Sequence, residues 1–188
     1  MKVRPRGVPK RDPMWSPVGE TGQGPWGVER AMPLFLNTHV NKVDRKGRVS
    51  VPAPFRAALT GQAFSGIVAF PSFRAPAIEA LDRARMEHLS QSTDDLAQFS
   101  EAHDDLSVAI FANAAELAFD GEGRIMLPET LAKHAGIDEL AAFVGLGQTF
   151  QIWNPERFDA YRRSAAERAR EKGASLVLRR PAPGGDAP

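Results

Sequence analysis

Asp44-Arg45-Lys46-Gly47-Arg48-Val49-Ser50-Val51-Pro52 and, 76 residues further on, Asp120-Gly121-Glu122-Gly123-Arg124-Ile125-Met126-Leu127-Pro128 decide how this chain is read. Both spell Asp-x-x-Gly-Arg-apolar-x-apolar-Pro, so the chain contains an internal repeat. Asp-x-x-Gly between two extended runs is hairpin chemistry. The Asp carboxylate accepts from backbone N–H groups two residues on, and Gly takes the positive-φ position. In Val49-Ser50-Val51 the valines share one face and Ser50 the other. The closing Pro ends the strand and opens a helix, where its missing N–H costs nothing.

The repeat continues on both sides of these turns. A short helix follows each Pro, Phe55–Leu59 in the first copy and Glu129–Ala135 in the second, and each is closed by a glycine, Gly61 or Gly136. An apolar run comes next, Ile67–Phe70 or Ala142–Gly145. A second short strand follows, Ile78–Leu81 or Phe150–Trp153, and it leads into an amphipathic helix. In the second copy Asn154-Pro155 is a strong helix start, with Asn as cap and Pro in the first turn. The offset between copies slips to 72 here, which is read as about four extra loop residues in the second copy. The two copies are joined by Ser90 to Ala114, where Thr93 is expected to cap a helix through Leu96, Phe99, Leu106 and Ile110. Its other face is acidic: residues 82–105 carry seven Asp/Glu against two Arg.

Composition frames this core. Of 188 residues 43% are hydrophobic, enough for one domain or two small ones. No apolar run approaches the roughly 18 residues of a membrane span, and the basic start lacks the apolar stretch of a secretory signal. The absence of cysteine excludes disulfides, thiolate metal sites and cysteine nucleophiles, and a cytosolic protein fits best. Gly and Pro concentrate at the ends: ten of 31 lie in residues 1–31 and six in 172–188. The expected organisation is therefore a flexible extension over 1–31, a first repeat over 34–81 and a helical linker over 82–114. A second repeat over 115–158, a C-terminal helix over 159–171 and a flexible tail over 172–188 complete it. Residues 1–31 are net +3; either Met32 is the initiator and they are a start-site artefact, or they form a basic arm that touches nucleic acid.

These residues resemble the MraZ proteins. The paired Asp44…Arg48 and Asp120…Arg124 motifs carry the resemblance, with the Phe35-Leu36-Asn37 opening, the Gly-Arg-Val-Ser-Val-Pro strand exit and the run Gln151-Ile152-Trp153-Asn154-Pro155-Glu156. It covers about 32–165 and favours Met32 as the start. The resemblance implies an α+β fold of two tandem swapped-hairpin β-barrel (SpoVT/AbrB-like) repeats with linking and C-terminal helices, the halves forming a pseudo-dimeric barrel. It also implies ring-shaped homo-oligomers of a bacterial transcription regulator. That regulator would lie in the cytoplasm on the nucleoid and bind G-rich direct repeats upstream of its own division and cell-wall operon.

Charge separates the two copies. Residues 41–56 hold Lys42, Arg45, Lys46, Arg48 and Arg56 against Asp44, whereas residues 117–132 hold Asp120, Glu122 and Glu129 against Arg124. A phosphate backbone favours the first, because each neutralised phosphate releases a condensed counterion. The DNA-binding candidates are therefore Lys42, Arg45, Lys46, Arg48, Arg56 and Arg124. Asp44, Gly47, Asp120 and Gly123 are assigned to turn structure. Arg45 and Lys46 suit phosphates. Arg48 suits a guanine edge, or it pairs with Asp44 and locks the turn; the same alternatives stand for Arg124 with Asp120, in an acidic setting that favours the lock.

Other classes fit less well. His88, Glu101, His103, Asp104, Asp105 and His134 are the available acids and histidines. They form no His-Glu-x-x-His, phosphate-loop or Gly-x-Ser-x-Gly pattern, and no catalytic residue, metal, cofactor or small-molecule substrate is assigned. A ring-forming protein scaffold that does not bind DNA is the alternative function. A short antitoxin-like module is a third reading, and the two fused copies count against it.

Overall fold

A computed structural model of the chain describes residues 33–94 and 100–173. The expected extension over 1–31, most of the tail over 172–188 and residues 95–99 of the linker lie outside the described residues. Each turn motif makes two strands. In the first copy β1 (Thr38–Lys42) and β2 (Arg48–Ser50) flank the turn, followed by α1 (Ala53–Ala58), β3 (Gly66–Pro71), β4 (Ala77–Leu81) and α2 (Arg83–Asp94). The second copy repeats this as β5 (Ala115–Ala118), β6 (Arg124–Met126), α4 (Glu129–Ala135), β7 (Leu140–Gly145), β8 (Phe150–Trp153) and α5 (Pro155–Glu171). Between them lies α3 (Glu101–Ile110). The protein is thus an α+β chain of antiparallel strands with five helices among the described residues.

The copies do not fold as separate bodies. Their strands interleave in one six-stranded antiparallel sheet of order β1-β7-β8-β4-β3-β5, and β2 pairs with β6 in a separate ribbon. Exchanging each strand for its counterpart in the other copy returns the same order, so the chain carries an internal pseudo-two-fold. The registers agree: Val49 lies opposite its counterpart Ile125, and Glu79 opposite Gln151, whose Nε2 donates to Glu79 Oε1 at 2.7 Å. Residues from both copies fill one core. Val49 and Ile125 from the ribbon, Phe55 and Leu131 from α1 and α4, and Phe143, Phe150 and Ile152 from the sheet are at most 3% exposed. Phe35, Phe55 and Phe150 meet at centroid separations of 4.9–5.3 Å in tilted and edge-on geometry, which adds specific aromatic attraction to burial.

Local chemistry sets the ends of the helices. Asn154 accepts from the Glu156 and Arg157 amides, and α5 begins at Pro155, where the Asn-Pro pair places the start, so the division drawn at 159 falls inside the helix. The linker holds two helices among the described residues, as expected, but the first runs on to Asp94 and the second begins after Ser100 rather than after Thr93. Asp82 accepts from Arg85 N at 2.7 Å at the start of α2, and Ser100 caps α3 through the His103 amide. Thr93 is not a cap: it sits in the last turn of α2, where its hydroxyl donates back to Leu89 O at 2.9 Å. The extra loop residues also fall in the first copy, not the second. Its α1–β3 connection spans 59–65 where the second copy uses 136–139. The second copy closes faster because Gly136, at φ 66°, caps α4 in the left-handed conformation.

Candidate nucleic-acid interface

The Asp-x-x-Gly-Arg motif builds both turns alike. In the first, Asp44 Oδ1 accepts from the amides of Lys46 at 2.8 Å and Arg48 at 3.0 Å. Its Oδ2 takes Arg48 Nε at 2.7 Å and Nη2 at 2.6 Å. Gly47 closes the turn with its amide on Asp44 O at 2.9 Å and φ 77°, the left-handed region that favours glycine. These donors hold the Asp44 carboxyl down at a pKa of about 2, the Arg48 amide contributing most and its guanidinium next. Asp120 repeats the pattern with the amides of Glu122 and Arg124 and with Arg124 Nε at 2.8 Å, and its pKa is lowered for the same reasons.

The two turns lie side by side. Val51 N donates to Gly123 O at 3.1 Å and Leu127 N to Gly47 O at 2.9 Å, each copy closing the other's turn. Period-two alternation turns Val49 and Ile125 inward and leaves Arg48, Ser50, Arg124 and Met126 on the outer face of the ribbon. This face and the two turn tips are the candidate site.

The structure brings all six cationic candidates to or beside it and gives them different surroundings. Arg45 and Lys46 stand exposed at the first tip, with no ion pair among the described residues. Lys42 is exposed at the end of β1. Arg48 engages Asp44 through Nε and Nη2, which leaves Nη1 directed elsewhere. Arg124 is gripped by two carboxylates, Asp120 and Glu122, the latter at 2.6 Å from Nη1. Its pKa is raised, first by the hydrogen bond to Asp120, and the charge of Asp44 across the ribbon adds to this. Arg56 is the sixth. It reaches across to the second copy, donates from Nη1 to Glu122 O at 2.9 Å and lies over Gly123, where any Cβ would overlap the guanidinium. Charge counting along the sequence does not reveal this brace, because its partner is 66 residues away. Sequence reasoning also missed the acids beside the first turn: Asp138 and Glu139 share its flank with Lys42 and Arg45, and Glu139 O accepts from Val43 N at 2.8 Å.

Among the described residues no group of His, Asp and Glu is arranged to hold a metal ion, and no helix is long and apolar enough to cross a membrane. His103 and Asp104 do touch, Nδ1 to Oδ1 at 3.2 Å, on α3.

Fold and site together define a class: a tandem-repeat α+β protein whose two interleaved copies present paired Asp–Arg turns, cationic in one copy and acidic in the other. Comparison with known proteins agrees. A family model described as "MraZ protein, putative antitoxin-like" matches residues 110–180. "Transcriptional regulator MraZ" of Rickettsia peacockii (strain Rustic) is 47% identical over 145 residues, covering 77% of this chain and 97% of the relative. The proteins of the same name from Rickettsia felis and Rickettsia canadensis are likewise 47% identical over the same shares. The chain belongs to the MraZ family, a family of transcriptional regulators and not of enzymes.

Proposed function

We propose that this protein is a sequence-specific DNA-binding regulator that reads double-stranded DNA through the first turn. The observation that carries this reading is the electrostatic division between two turns of equal shape. At the first tip Arg45 and Lys46 project without a carboxylate partner among the described residues, whereas the second tip spends Arg124 on Asp120 and Glu122. In this reading Arg45, Lys46 and Lys42 meet phosphates. The free edge of the Arg48 guanidinium meets a guanine while Asp44 fixes the direction of the side chain. Arg56 and Arg124 hold the second turn in place beside it.

The finer picture belongs to the same proposal. The interleaved copies form a swapped-hairpin barrel of the SpoVT/AbrB type, and the chains assemble into a ring. Successive first turns of the ring meet G-rich direct repeats spaced by about one helical turn, roughly 10 bp. These lie upstream of the protein's own division and cell-wall operon, which it represses from the cytoplasm and nucleoid.

The test is binding of the full chain to DNA from upstream of its own gene, at two salt concentrations and against scrambled competitor. Specific binding should weaken steeply with salt. Replacing Arg45 and Lys46 by Ala should lower the slope of log K against log salt by about 2, one for each lost phosphate contact. Arg48→Ala should abolish specific binding while Arg124→Ala, which removes the equivalent turn lock, should leave most of it. A folded, assembled protein without specific binding would refute the proposal in favour of a protein-binding scaffold.

A further inference from the structure

The two turns differ in more than charge. Four side chains make the outer face of the ribbon, Arg48 and Ser50 from β2 and Arg124 and Met126 from β6. Ser50 and Met126 occupy corresponding positions under the internal pseudo-two-fold, so the difference between them is a difference between the copies. The register sets Met126 opposite Arg48 and Ser50 opposite Arg124. Side chains paired in this way stand on one face with their Cβ atoms about 4.5–5.5 Å apart. The cationic first turn therefore receives a methionine across the ribbon, and the acidic second turn receives a serine.

Met126 leans toward the first turn and is open to solvent. Its Sδ would lie 3.8 Å from a Cβ on Gly47, and with Arg45 and Lys46 it lines a concavity of about 630 Å³ beside that turn. It is 53% exposed, whereas Ile125 and Leu127 on either side of it are buried. Among the described residues it belongs to none of the apolar clusters that form the core. It is the one apolar member of an otherwise polar face, and the fold does not bury it.

We infer that Met126 reads the 5-methyl group of a thymine close to the guanine held by Arg48. The inference rests on the DNA reading above and gives it a second base contact, supplied by the copy whose own turn is spent on carboxylates. In the major groove the thymine methyl is the apolar feature among base edges that otherwise present donors and acceptors. An unbranched, polarizable methionine adjusts to such a group without a fixed rotamer. Distance limits which base it reaches. Base pairs stack about 3.4 Å apart, and the Cβ atoms of the Arg48–Met126 pair are about 5 Å apart, so the methyl lies within two base pairs of that guanine, on either strand. Arg48 and Met126 together specify a guanine and a thymine from one face. Ser50, beside Arg124, presents no apolar group of that reach.

The experiment is a deoxyuridine scan of the bound upstream DNA with the full chain. Deoxyuridine lacks only the 5-methyl group and keeps the hydrogen-bonding edge of thymine. Substitution with 7-deazaguanine, which removes an acceptor that Arg48 uses, first locates the guanine. Replacing one thymine within two base pairs of it, in one repeat, should weaken wild-type binding about fourfold, the worth of one buried methyl. Met126→Ala should be indifferent to the same replacement, and Met126→Leu should keep the sensitivity. Met126→Ser, which copies the residue at the corresponding position, serves as a second variant should Met126→Ala fail to fold, and should be equally indifferent. Specific wild-type binding that ignores every deoxyuridine would overturn the assignment, as would a sensitivity that survives in Met126→Ala. A binding site with no thymine within two base pairs of the contacted guanine would overturn it too. A wild type without specific binding sinks the DNA reading itself, and that result differs from all of these.

Discussion

Gly123 and Gly47 occupy corresponding places in the two turns, at φ 74° and 77°, yet alanine should not cost the same at each. An L-residue held in the left-handed region costs about 1–2 kcal/mol, and this part is common to both. At Gly47 a new Cβ would meet Leu127 O at 3.5 Å and Met126 Sδ at 3.8 Å, which is ordinary contact. At Gly123 it would overlap the end of Arg56, a flexible side chain that must swing away and give up its hydrogen bond to Glu122 O. That bond is worth about 1 kcal/mol net, so Gly123→Ala should destabilise by about 1 kcal/mol more than Gly47→Ala. Denaturant unfolding of both variants measures the difference, and the Arg56→Ala background isolates its origin. With the guanidinium gone, Gly123→Ala should fall to the cost of Gly47→Ala. An extra cost that persists in that background would refute the assignment of Arg56 as the brace between the copies.

Three further expectations follow from the geometry. The folded-state pKa of Asp44 is depressed to about 2, so the contribution of its turn to stability is full above the ordinary carboxylate range and is lost as pH falls from about 4 through 2. Carboxyl NMR titration should place Asp44 at the low end, and Arg48→Ala should move it back toward the ordinary range. Phe55→Ala removes the ring common to the aromatic contacts with Phe35, Phe150 and His39; about 3–5 kcal/mol should be lost in chemical denaturation. Asn154→Ala removes the acceptor for the Glu156 and Arg157 amides and the donor to Gly136 O, so about 1 kcal/mol or slightly more should be lost.

What the sequence by itself determined is local chemistry repeated. Asp44 and Asp120 must accept from the amides that follow them, Gly47 and Gly123 must take positive φ, and Asn154-Pro155 must start a helix, whatever the rest of the chain does. These signals act over four or five residues, so they located the turns, most strands and the number of copies. The same range explains the errors. Thr93 and Ser100 are equally good caps in isolation, and in the folded chain it is Ser100 that caps α3. Tertiary structure decided everything that depends on which strands meet. Interleaving puts β1 beside β7 and β3 beside β5, brings Arg56 onto the opposite turn and sets the acids of residues 138 and 139 against the basic one. No local pattern encodes these, because a strand's partner is chosen by the free energy of burying the whole core, to which residues more than 60 positions apart contribute together.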